Sequence, residues 1–407
     1  MYKKIEGGVT AAKGYKTGGI ACGIKKRKKD LALIYSQTPC TFAGSFTTNL
    51  VKAAPVLWDQ KVVGSSDTVH CILINSGNAN AATGVKGAED VAAMAALVSD
   101  HFSLPKEQTL VCSTGVIGVP LPMDTIEKGI KTIVPTLADT KEAASLAAEA
   151  ILTTDTFTKE VAVEVIIDQR SVRIGGMAKG SGMIHPNMAT MLSFITTDAQ
   201  IEKNILQTLL GSSIEDTYNM ISVDGDTSTN DTVLVLANGE AKNNTLSPSH
   251  PDWPAFVQAF DYVNAELAKL IVKDGEGAQK FIEMTVVGAK DKERARTLAR
   301  SVISSNLVKT AFFGSDANWG RIMCAMGYSG SEFDPQKTDL YFESAKGKIQ
   351  VVKDGEPVAF DEYHAKTILL EPVILCTADL NEGEASATAW GCDLSYEYVR
   401  INGDYRS

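Results

Sequence analysis

The glycine-rich segment at residues 176–192 constrains this chain more than any other feature of its sequence. It reads GMAKGSGMIHPNMATML and directly follows Gly175. Glycine lets a backbone take positive φ and approach itself closely, whereas Pro186 fixes one φ and removes an amide donor. A backbone of this kind can be held under strain. The segment therefore predicts a constrained loop in which a side chain can be pressed against a peptide bond.

Thr190, near the end of this segment, predicts self-cleavage. If its hydroxyl is pressed against the carbonyl of Ala189, it can attack that peptide bond, and hydrolysis of the resulting ester leaves a chain that begins at Thr190. An α-amine has a pKa of about 7.7 to 8.0, so near neutral pH part of it is unprotonated and can take the proton from its own residue's Oγ. Thr190 would then supply both nucleophile and base.

Composition alone favours a plainer interpretation of the same segment. Glycine-rich loops with one threonine are common, and more of them are turns or anion-binding nests than nucleophile sites. His185 also has a plain interpretation as a side chain that hydrogen-bonds the loop, because Thr190 would bring its own base. Spacing by itself therefore leaves both interpretations open.

The whole of residues 176–199 resembles the processing site of the arginine-biosynthesis glutamate N-acetyltransferases, also called ornithine acetyltransferases. Further segments from Asn75 to the carboxyl terminus resemble the family in the same order. The resemblance implies a mixed α/β (α+β) fold, a two-sheet sandwich covered by helices, similar to that of L-aminopeptidase D-Ala-esterases. Cleavage there would give an alpha chain of residues 1–189 and a beta chain of residues 190–407, and because strands on both sides of the cut are expected to share sheets, the two chains should stay associated. The resemblance implies a new terminus that opens into a cleft and a heterotetramer of these chains.

An acyl-transfer nucleophile needs hydrogen-bond donors aimed at the oxyanion of its tetrahedral intermediate. The segment 112–118, CSTGVIG, offers the amide of Gly115 and the hydroxyl of Thr114. A Ser-Thr-Gly turn is equally common as a structural corner, and the family resemblance implies the oxyanion hole. Cys112 has apolar neighbours and no nearby histidine or lysine in the sequence, which favours a buried inert thiol.

The substrate of this family carries an α-carboxylate and a second charged end, so its site needs charged side chains. Lys179 lies within the glycine-rich segment and could pair with a carboxylate, although most loop lysines are solvated. Glu276 is flanked by two glycines, which suits a carboxylate pressed against a ligand amine as well as it suits a helix C-cap. The resemblance favours binding at both positions.

The resemblance also implies substrate contacts at Thr153, Thr190, Asn402 and Ser407. The chain departs from the family pattern at Ser407, where threonine is usual, but the hydroxyl is kept. It departs again at Ala82, where a cysteine is usual, and this argues against a catalytic thiol at that position.

The composition predicts a compact globular protein of 407 residues, 44% of them hydrophobic. A formal charge of −10 and a pI near 5.2 argue against a general nucleic-acid or membrane-surface binder. The basic run at residues 25–29 allows polyanion binding. Its place between the apolar residues 20–22 and the strand candidate at residues 31–34 instead favours a solvated hairpin tip.

Three further features bound the function. The seven cysteines are scattered without a Cys-x-x-Cys pair, which fits a reducing compartment. The five histidines show no metal-ligand spacing, so no metal site is expected. No apolar run suits a signal peptide or a membrane span, so we expect a cytoplasmic protein. Residues 224–231 have the oxygen density of a calcium loop but lack its final glutamate, which favours Asx turns.

Hydrophobic periodicity predicts a mixed α and β chain. Capping boxes at Asp124 and Asp139 predict two helix starts, and further helices are expected over residues 91–102 and 255–272. Alternation over residues 161–165 and again from Val172 predicts two strands joined by a turn at residues 168–169. The glycine-rich segment is then expected to follow a strand.

The predicted reaction transfers acetyl from N2-acetyl-L-ornithine to L-glutamate through an acetyl ester on Thr190, after cleavage between Ala189 and Thr190. No metal or bound organic cofactor is expected, because the ester itself stores the acetyl group, and acetyl-CoA is implied as a second donor by bifunctional relatives. One alternative is an N-terminal-nucleophile amidohydrolase or aminopeptidase of the same fold, with water as acceptor. The other is a binding protein in which the segment is only a structural loop.

Overall fold

A computed structural model describes residues 1–185 and 191–404 of the chain. Ala189, Thr190 and Ser407 lie outside the described residues. The chain divides into two compact units, which are treated separately below. Unit 1 comprises residues 1–180, 186–218 and 227–271, and unit 2 comprises residues 181–185, 219–226 and 272–407.

Helices and strands are interspersed along the described chain. The strands are β1 (Tyr2–Ile5), β2 (Tyr15–Ile20), β3 (Leu31–Phe46), β4 (Val69–Asn78), β5 (Thr109–Val116), β6 (Lys159–Ile167), β7 (Arg170–Lys179), β8 (Leu192–Thr197), β9 (Ile221–Ser222), β10 (Thr232–Ala237), β11 (Phe281–Ala289), β12 (Asp339–Ser344), β13 (Gly347–Lys353), β14 (Glu356–Pro357), β15 (Val373–Asp379) and β16 (Ala385–Cys392). The helices are α1 (Ala54–Ser65), α2 (Gly84–Phe102), α3 (Met123–Ile133), α4 (Lys141–Ala150), α5 (Lys203–Glu215), α6 (Trp253–Lys273), α7 (Lys292–Ser304), α8 (Asn306–Phe313), α9 (Trp319–Gly327), α10 (Glu362–Leu369) and α11 (Tyr396–Gly403).

Unit 1 contains a nine-stranded sheet of order β1-β6-β7-β8-β10-β3-β4-β5, with β2 paired to β3. Every residue of the parallel neighbours β8 and β10 is buried, as expected of strands covered on both faces. Strands β7 and β8 are antiparallel and pair up to Lys179 and Leu192. Strands from both sides of the predicted cleavage point therefore share one sheet, as the sequence predicted.

Unit 2 contains a seven-stranded sheet of order β14-β13-β12-β15-β11-β16-β9. Its strand β11 pairs in parallel with β15 and antiparallel with β16. Helix α7 packs against β11 and β16 through buried residues such as Leu298 and Val302. With a sheet and helices in each unit, the predicted mixed α/β architecture of two sheets is confirmed.

The hairpin predictions are confirmed and the helix caps need correction. Asp168 and Gln169 have φ of 49° and 62° and form the turn between β6 and β7. Asp124 lies inside the first turn of α3 and does not cap it. Helix α4 is capped by the Thr140 hydroxyl, which accepts the amide of Ala143, and not by Asp139. Threonine at this position satisfies an amide that would otherwise have no partner.

Two further boundaries differ from the prediction. Helix α2 begins at Gly84, seven residues before the predicted start. The prediction missed these residues because the exposed first turns of the helix lack a clear helical pattern of apolar residues. The glycine-rich segment does not start as a loop: residues 176–179 continue β7, and the irregular backbone begins at Gly180 with φ of 155°. None of the described helices is long and apolar enough to cross a membrane.

Candidate active site

The predicted oxyanion-hole residues lie at the end of β5 in unit 1. Ser76 pairs with Thr114 and Gly77 with Gly115 in the parallel β4–β5 ladder, and both Thr114 and Gly115 are partly exposed. Gly115 has φ of 130°, and a Cβ there would lie 2.3 Å from the carbonyl carbon of Gly77. Only glycine fits this close approach, so the backbone at Gly115 is held in one place.

Asn230 fixes the same strand end, a role that sequence reasoning missed. Its buried side-chain amide donates to the carbonyl of Ala79 at 2.6 Å and to the carbonyl of Ser113 at 2.8 Å. It thereby ties the segment after β4 to the residue before Thr114. The polar run of residues 224–231 is the one local signal that could have indicated this role.

Cys112 is the inert thiol that the sequence predicted. It is fully buried on β5, and its Sγ lies 3.6 Å from Oδ2 of Asp59. Burial and the neighbouring Asp59 carboxyl raise the pKa of the Cys112 thiol well above its usual value. A thiol in this state is a poor nucleophile.

Thr153 and Gly180 are joined through Asp155, which sequence reasoning did not single out. The amide and hydroxyl of Thr153 donate to Oδ2 of Asp155 at 2.9 and 3.4 Å. The amide of Gly180 donates to Oδ1 at 2.7 Å, and Nζ of Lys159 donates to the same oxygen at 2.7 Å. One buried carboxylate therefore positions a predicted substrate contact and the residue that follows Lys179.

The charge of Asp155 is maintained despite its burial. Burial alone raises the pKa of this carboxyl, but Lys179, Lys159 and the amide of Thr153 outweigh it and hold the pKa well below its usual range. Both side chains of the Asp155–Lys159 pair are fully inaccessible to solvent. Because the pKa of an unfolded aspartate is about 3.9, the stabilisation is complete at neutral pH and is lost as the pH falls below about 4.

Replacing Asp155 with asparagine is expected to destabilise the fold and weaken substrate binding. Removing the negative charge beside buried Lys159 is expected to lower the free energy of unfolding by on the order of 3 to 5 kcal/mol, measured by chemical denaturation. The double variant Asp155→Asn with Lys159→Met removes both charges and should recover much of this stability. If Asp155 also positions Thr153 and Gly180, the double variant keeps a raised KM for N-acetylornithine, the donor that the family resemblance implies. Recovery of both stability and KM would show that Asp155 only neutralises Lys159.

Lys179 is the last residue of β7 and is buried, with 8% of its surface exposed. Its charge lowers the pKa of Asp155 and opposes the effect of burial on Asp231, whose pKa is raised well above its usual value. The default expectation of a solvated loop lysine is therefore wrong for Lys179. A buried ammonium group at this place suits the binding of a carboxylate.

In unit 2, Glu276 and Asn402, which were predicted to contact the substrate, are hydrogen-bonded to each other. The side-chain amide of Asn402 donates to Oε2 of Glu276 at 2.7 Å. The amide of Glu276 donates to the carbonyl of Ser181 at 2.9 Å, and a Cβ on Gly182 would lie 2.4 Å from the Glu276 carboxyl. Glu276 therefore lies directly against the glycine-rich segment with Asn402 bonded to it, and Gly182 is required for the close contact of Glu276.

Asp224 anchors the following residues of the segment. Its carboxylate accepts the amides of Met183 and Ile184 at 2.6 and 2.8 Å and the hydroxyl of Tyr398 at 3.1 Å. Met183 has φ of 56°, an unfavourable conformation for a residue with a long side chain. The amide of Asp226 also donates to Asp224, as in the predicted Asx turn. The backbone just before Pro186 is thus held by side-chain contacts.

His185 is a structural side chain in unit 2. Its Nδ1 lies 3.1 Å from the hydroxyl of Ser222 and 3.3 Å from that of Ser304. Burial, and next the charge of Arg300, lower the pKa of His185. The neutral, hydrogen-bonded ring matches the plain interpretation of this histidine.

One group of possible metal ligands occurs in unit 1, and sequence spacing missed it. Asp168, His250 and Asp252 come together at the β6–β7 turn. Nε2 of His250 lies 3.2 Å from Asp168, while its Nδ1 accepts the amide of Asp252. Both ring nitrogens of His250 already have hydrogen-bond partners, so we interpret the three side chains as a hydrogen-bonded group that stabilises the turn.

The predicted residues therefore fall into two described groups. Thr114, Gly115, Thr153 and Lys179 lie in unit 1, whereas Glu276 and Asn402 lie in unit 2. The positions of Ala189, Thr190 and Ser407 lie outside the described residues, so their roles stay predictions.

A model of the ArgJ family matches residues 16–407, which is nearly the entire chain. The chain belongs to the ArgJ family. It is 52% identical over 403 residues to the arginine biosynthesis bifunctional protein ArgJ of Caldanaerobacter subterraneus subsp. tengcongensis, covering 99% of each chain. It is 50% identical over 396 residues to the protein of the same name in Thermotoga neapolitana, covering 97% of this chain and 99% of the relative.

A solved ArgJ structure agrees with this assignment. The crystal structure of arginine biosynthesis bifunctional protein ArgJ from Bacillus halodurans is 47% identical to the chain, with a TM-score of 0.51. It covers 53% of this chain and 100% of its own length. Membership of the ArgJ family, which confirms the predicted resemblance, makes the chain an acyltransferase of arginine biosynthesis.

Proposed function

We propose that the chain cuts itself between Ala189 and Thr190 and then transfers acetyl from N2-acetyl-L-ornithine to L-glutamate through an ester on Thr190. In the cut, Thr190 Oγ bonds to the carbonyl carbon of Ala189, the peptide C–N bond breaks, and the Oγ proton passes to the nitrogen. This step frees the new α-amine of Thr190, and water then hydrolyses the ester to give the Ala189 carboxylate and the Thr190 hydroxyl. The products are the chains 1–189 and 190–407.

The acetyl transfer follows in two half-reactions. Thr190 Oγ attacks the acetyl carbonyl of N-acetylornithine while the α-amine takes the hydroxyl proton and passes it to the departing nitrogen of ornithine. The α-amine of glutamate then attacks the acetyl ester, and Thr190 recovers its proton. Donors at Thr114 and Gly115 stabilise the oxyanion in both steps. Because one product leaves before glutamate reacts, the kinetics are ping-pong.

The observation that carries the proposal is the β7–β8 pair. Lys179 and Leu192 face each other in the sheet, so the loop between them has both ends fixed before and after a cut. Asp155 and Asp224 hold described residues next to that loop. A crystallised relative whose chain covers 53% of this one has the size expected of the longer cleavage product.

Two charged side chains support amino-acid substrates, each within its own unit. Lys179 is a buried cation that suits a carboxylate, and Glu276 is a buried anion that suits an amine. Acetyl-CoA serves as a second donor to the same Thr190 ester in the proposal, and no bound organic cofactor or metal takes part. A cytoplasmic location fits the seven free cysteines.

Two measurements on the purified protein test the proposal. Intact mass spectrometry should detect two chains that meet at Ala189 and Thr190. Incubation with acetyl-labelled N-acetylornithine and glutamate should yield labelled N-acetylglutamate, with acetyl-CoA tested as donor in a separate reaction. Labelled acetate in place of N-acetylglutamate would indicate an amidohydrolase. A single uncut chain without transfer would indicate a binding protein.

A further inference from the structure

Lys25 departs from the rest of the basic run in which it occurs. Residues 25–29 lie between β2 and β3, as the predicted hairpin tip, and Lys26, Arg27 and Lys28 are exposed. Lys25 is only partly exposed, and its Nζ donates to the carbonyl of Leu152 at 2.8 Å. The solvated-tip interpretation is therefore correct for the middle of the run and wrong for Lys25.

Buried Asp30 fixes the backbone from which this side chain extends. Its carboxylate accepts the amides of Cys22, Gly23 and Lys25 at 2.6, 3.1 and 2.8 Å. This closes the hairpin tip into a compact turn. The direction of the Lys25 side chain is consequently set by the fold and is not free to follow solvent.

The Lys25 side chain connects the predicted site residues of unit 1. A Cβ on Gly77 would lie 3.2 Å from Cγ of Lys25, and Gly77 is the strand partner of Gly115. The Lys25 ammonium group bonds Leu152, the residue before Thr153. Lys25 therefore extends from Gly77 on β4, beside the predicted oxyanion-hole residue Gly115, to the segment that carries the predicted substrate contact.

The two acidic side chains that act on Lys25 already have other partners. The charged groups around Lys25 are Asp30 and Lys28 on the hairpin, Asp155 on the loop before β6, and Lys179 at the end of β7. Asp30 is already hydrogen-bonded to three amides, and Asp155 is already paired with Lys159. Burial, with Lys28 and Lys179, outweighs Asp30 and Asp155 and lowers the pKa of Lys25 to about 8. An anionic ligand would balance the two lysines.

We propose that Lys25, together with Lys179, binds the α-carboxylate of the amino-acid substrates. The inference rests on the proposed acetyl transfer and adds a ligand-binding residue to it. One hydrogen of the Lys25 ammonium group is used by Leu152, which leaves two to donate to a carboxylate. Such charge-assisted hydrogen bonds are the stronger class, so their loss should weaken binding clearly.

The pH dependence follows from the protonation state of Lys25. In the free enzyme its ammonium group loses its proton near pH 8, and only the protonated form binds a carboxylate. The KM for N-acetylornithine should therefore rise as the pH increases above about 8. In Lys25→Arg the guanidinium stays protonated, since its pKa is above about 12, and this part of the rise should disappear. The Thr190 amine titrates in the same range in both proteins, so only their difference reports on Lys25.

The experiment compares Lys25→Met, Lys25→Arg and the exposed-neighbour control Lys26→Met, each first shown by mass spectrometry to be cut. KM is measured for N-acetylornithine and for its carboxamide, which lacks the negative charge; if the carboxamide is not transferred, its inhibition constant is used. Lys25→Met should raise the KM for the acid on the order of tenfold to a hundredfold, as for other hydrogen bonds to charged groups. The carboxamide value and the Lys26→Met values should change less than about twofold.

Three results would overturn the inference. They are equal effects of Lys25→Met on acid and carboxamide, an unchanged KM for the acid, and a Lys25→Arg pH profile identical to that of the natural protein. If Lys25→Met does not fold, the pH dependence of the KM of Lys25→Arg for N-acetylornithine still tests the inference. A natural protein that neither cuts itself nor transfers acetyl would instead refute the proposed function, so the two failures are distinct.

Discussion

Thr190→Ala is expected to yield one uncut chain that transfers no acetyl. Without the hydroxyl there is no nucleophile for the peptide bond of Ala189, and without the cut there is no free α-amine beside the acetyl group. Loss of a nucleophile that acts as a unit with its base lowers kcat by roughly 10⁴-fold or more. Intact mass and a transfer assay with labelled N-acetylornithine measure both consequences in the same preparation.

Thr190→Ser is the matched control, because it keeps the hydroxyl and removes only a methyl group. It should still be cut at the same bond and should retain transfer, at reduced rates. This comparison separates the chemistry of the hydroxyl from any effect on folding. Normal cutting of Thr190→Ala, or transfer at the natural rate, would contradict the self-cleavage mechanism.

Gly115→Ala is expected to lower kcat by on the order of 10² to 10³, the usual cost of losing one oxyanion donor. The new Cβ would lie 2.3 Å from the carbonyl carbon of Gly77 and 2.8 Å from the nitrogen of Asn78. Both neighbours are backbone atoms, so the β4–β5 pair must open where it presents the Gly115 amide. The shift moves the donor away from the developing oxyanion, and kcat falls in both half-reactions.

Gly118→Ala provides a control for backbone strain. Gly118 also has a positive φ, 79°, but no heavy atom lies within 4 Å of a Cβ at that position. Both variants therefore carry the cost of alanine at positive φ, and only Gly115→Ala displaces the strand. Kinetics and thermal unfolding of the two variants are compared after mass spectrometry has established their cleavage state. Equal kcat values for Gly115→Ala and Gly118→Ala would show that the Gly115 amide is not an oxyanion donor.

Local sequence signals were sufficient where the residues that define an element are neighbours in the chain. The β6–β7 hairpin was predicted because its turn residues and alternating strands lie next to each other in the chain. Helix caps were less predictable, since Thr140 and Asp139 are adjacent and either can accept a hydrogen bond from the helix amides. Contacts between residues that are close in the sequence could therefore be predicted, whereas contacts between distant residues could not.

The site residues illustrate the same limit. Asp155 bonds Gly180 across 25 residues, Asn230 bonds Ser113 across 117, and Lys25 bonds Leu152 across 127. Nothing near these residues in the sequence distinguishes them from solvated polar side chains. Their importance depends on partners that only folding brings within hydrogen-bond distance.

The sequence by itself determined the proposed chemistry, because a threonine can supply both a hydroxyl and, once it is the first residue, an amine. It also determined the alternation of strands and helices, which depends on neighbouring residues. Only the tertiary structure decided which charges are buried and paired. The free energy of a buried charge depends on every group around it, and for Asp155 and Lys25 those groups come from distant parts of the chain.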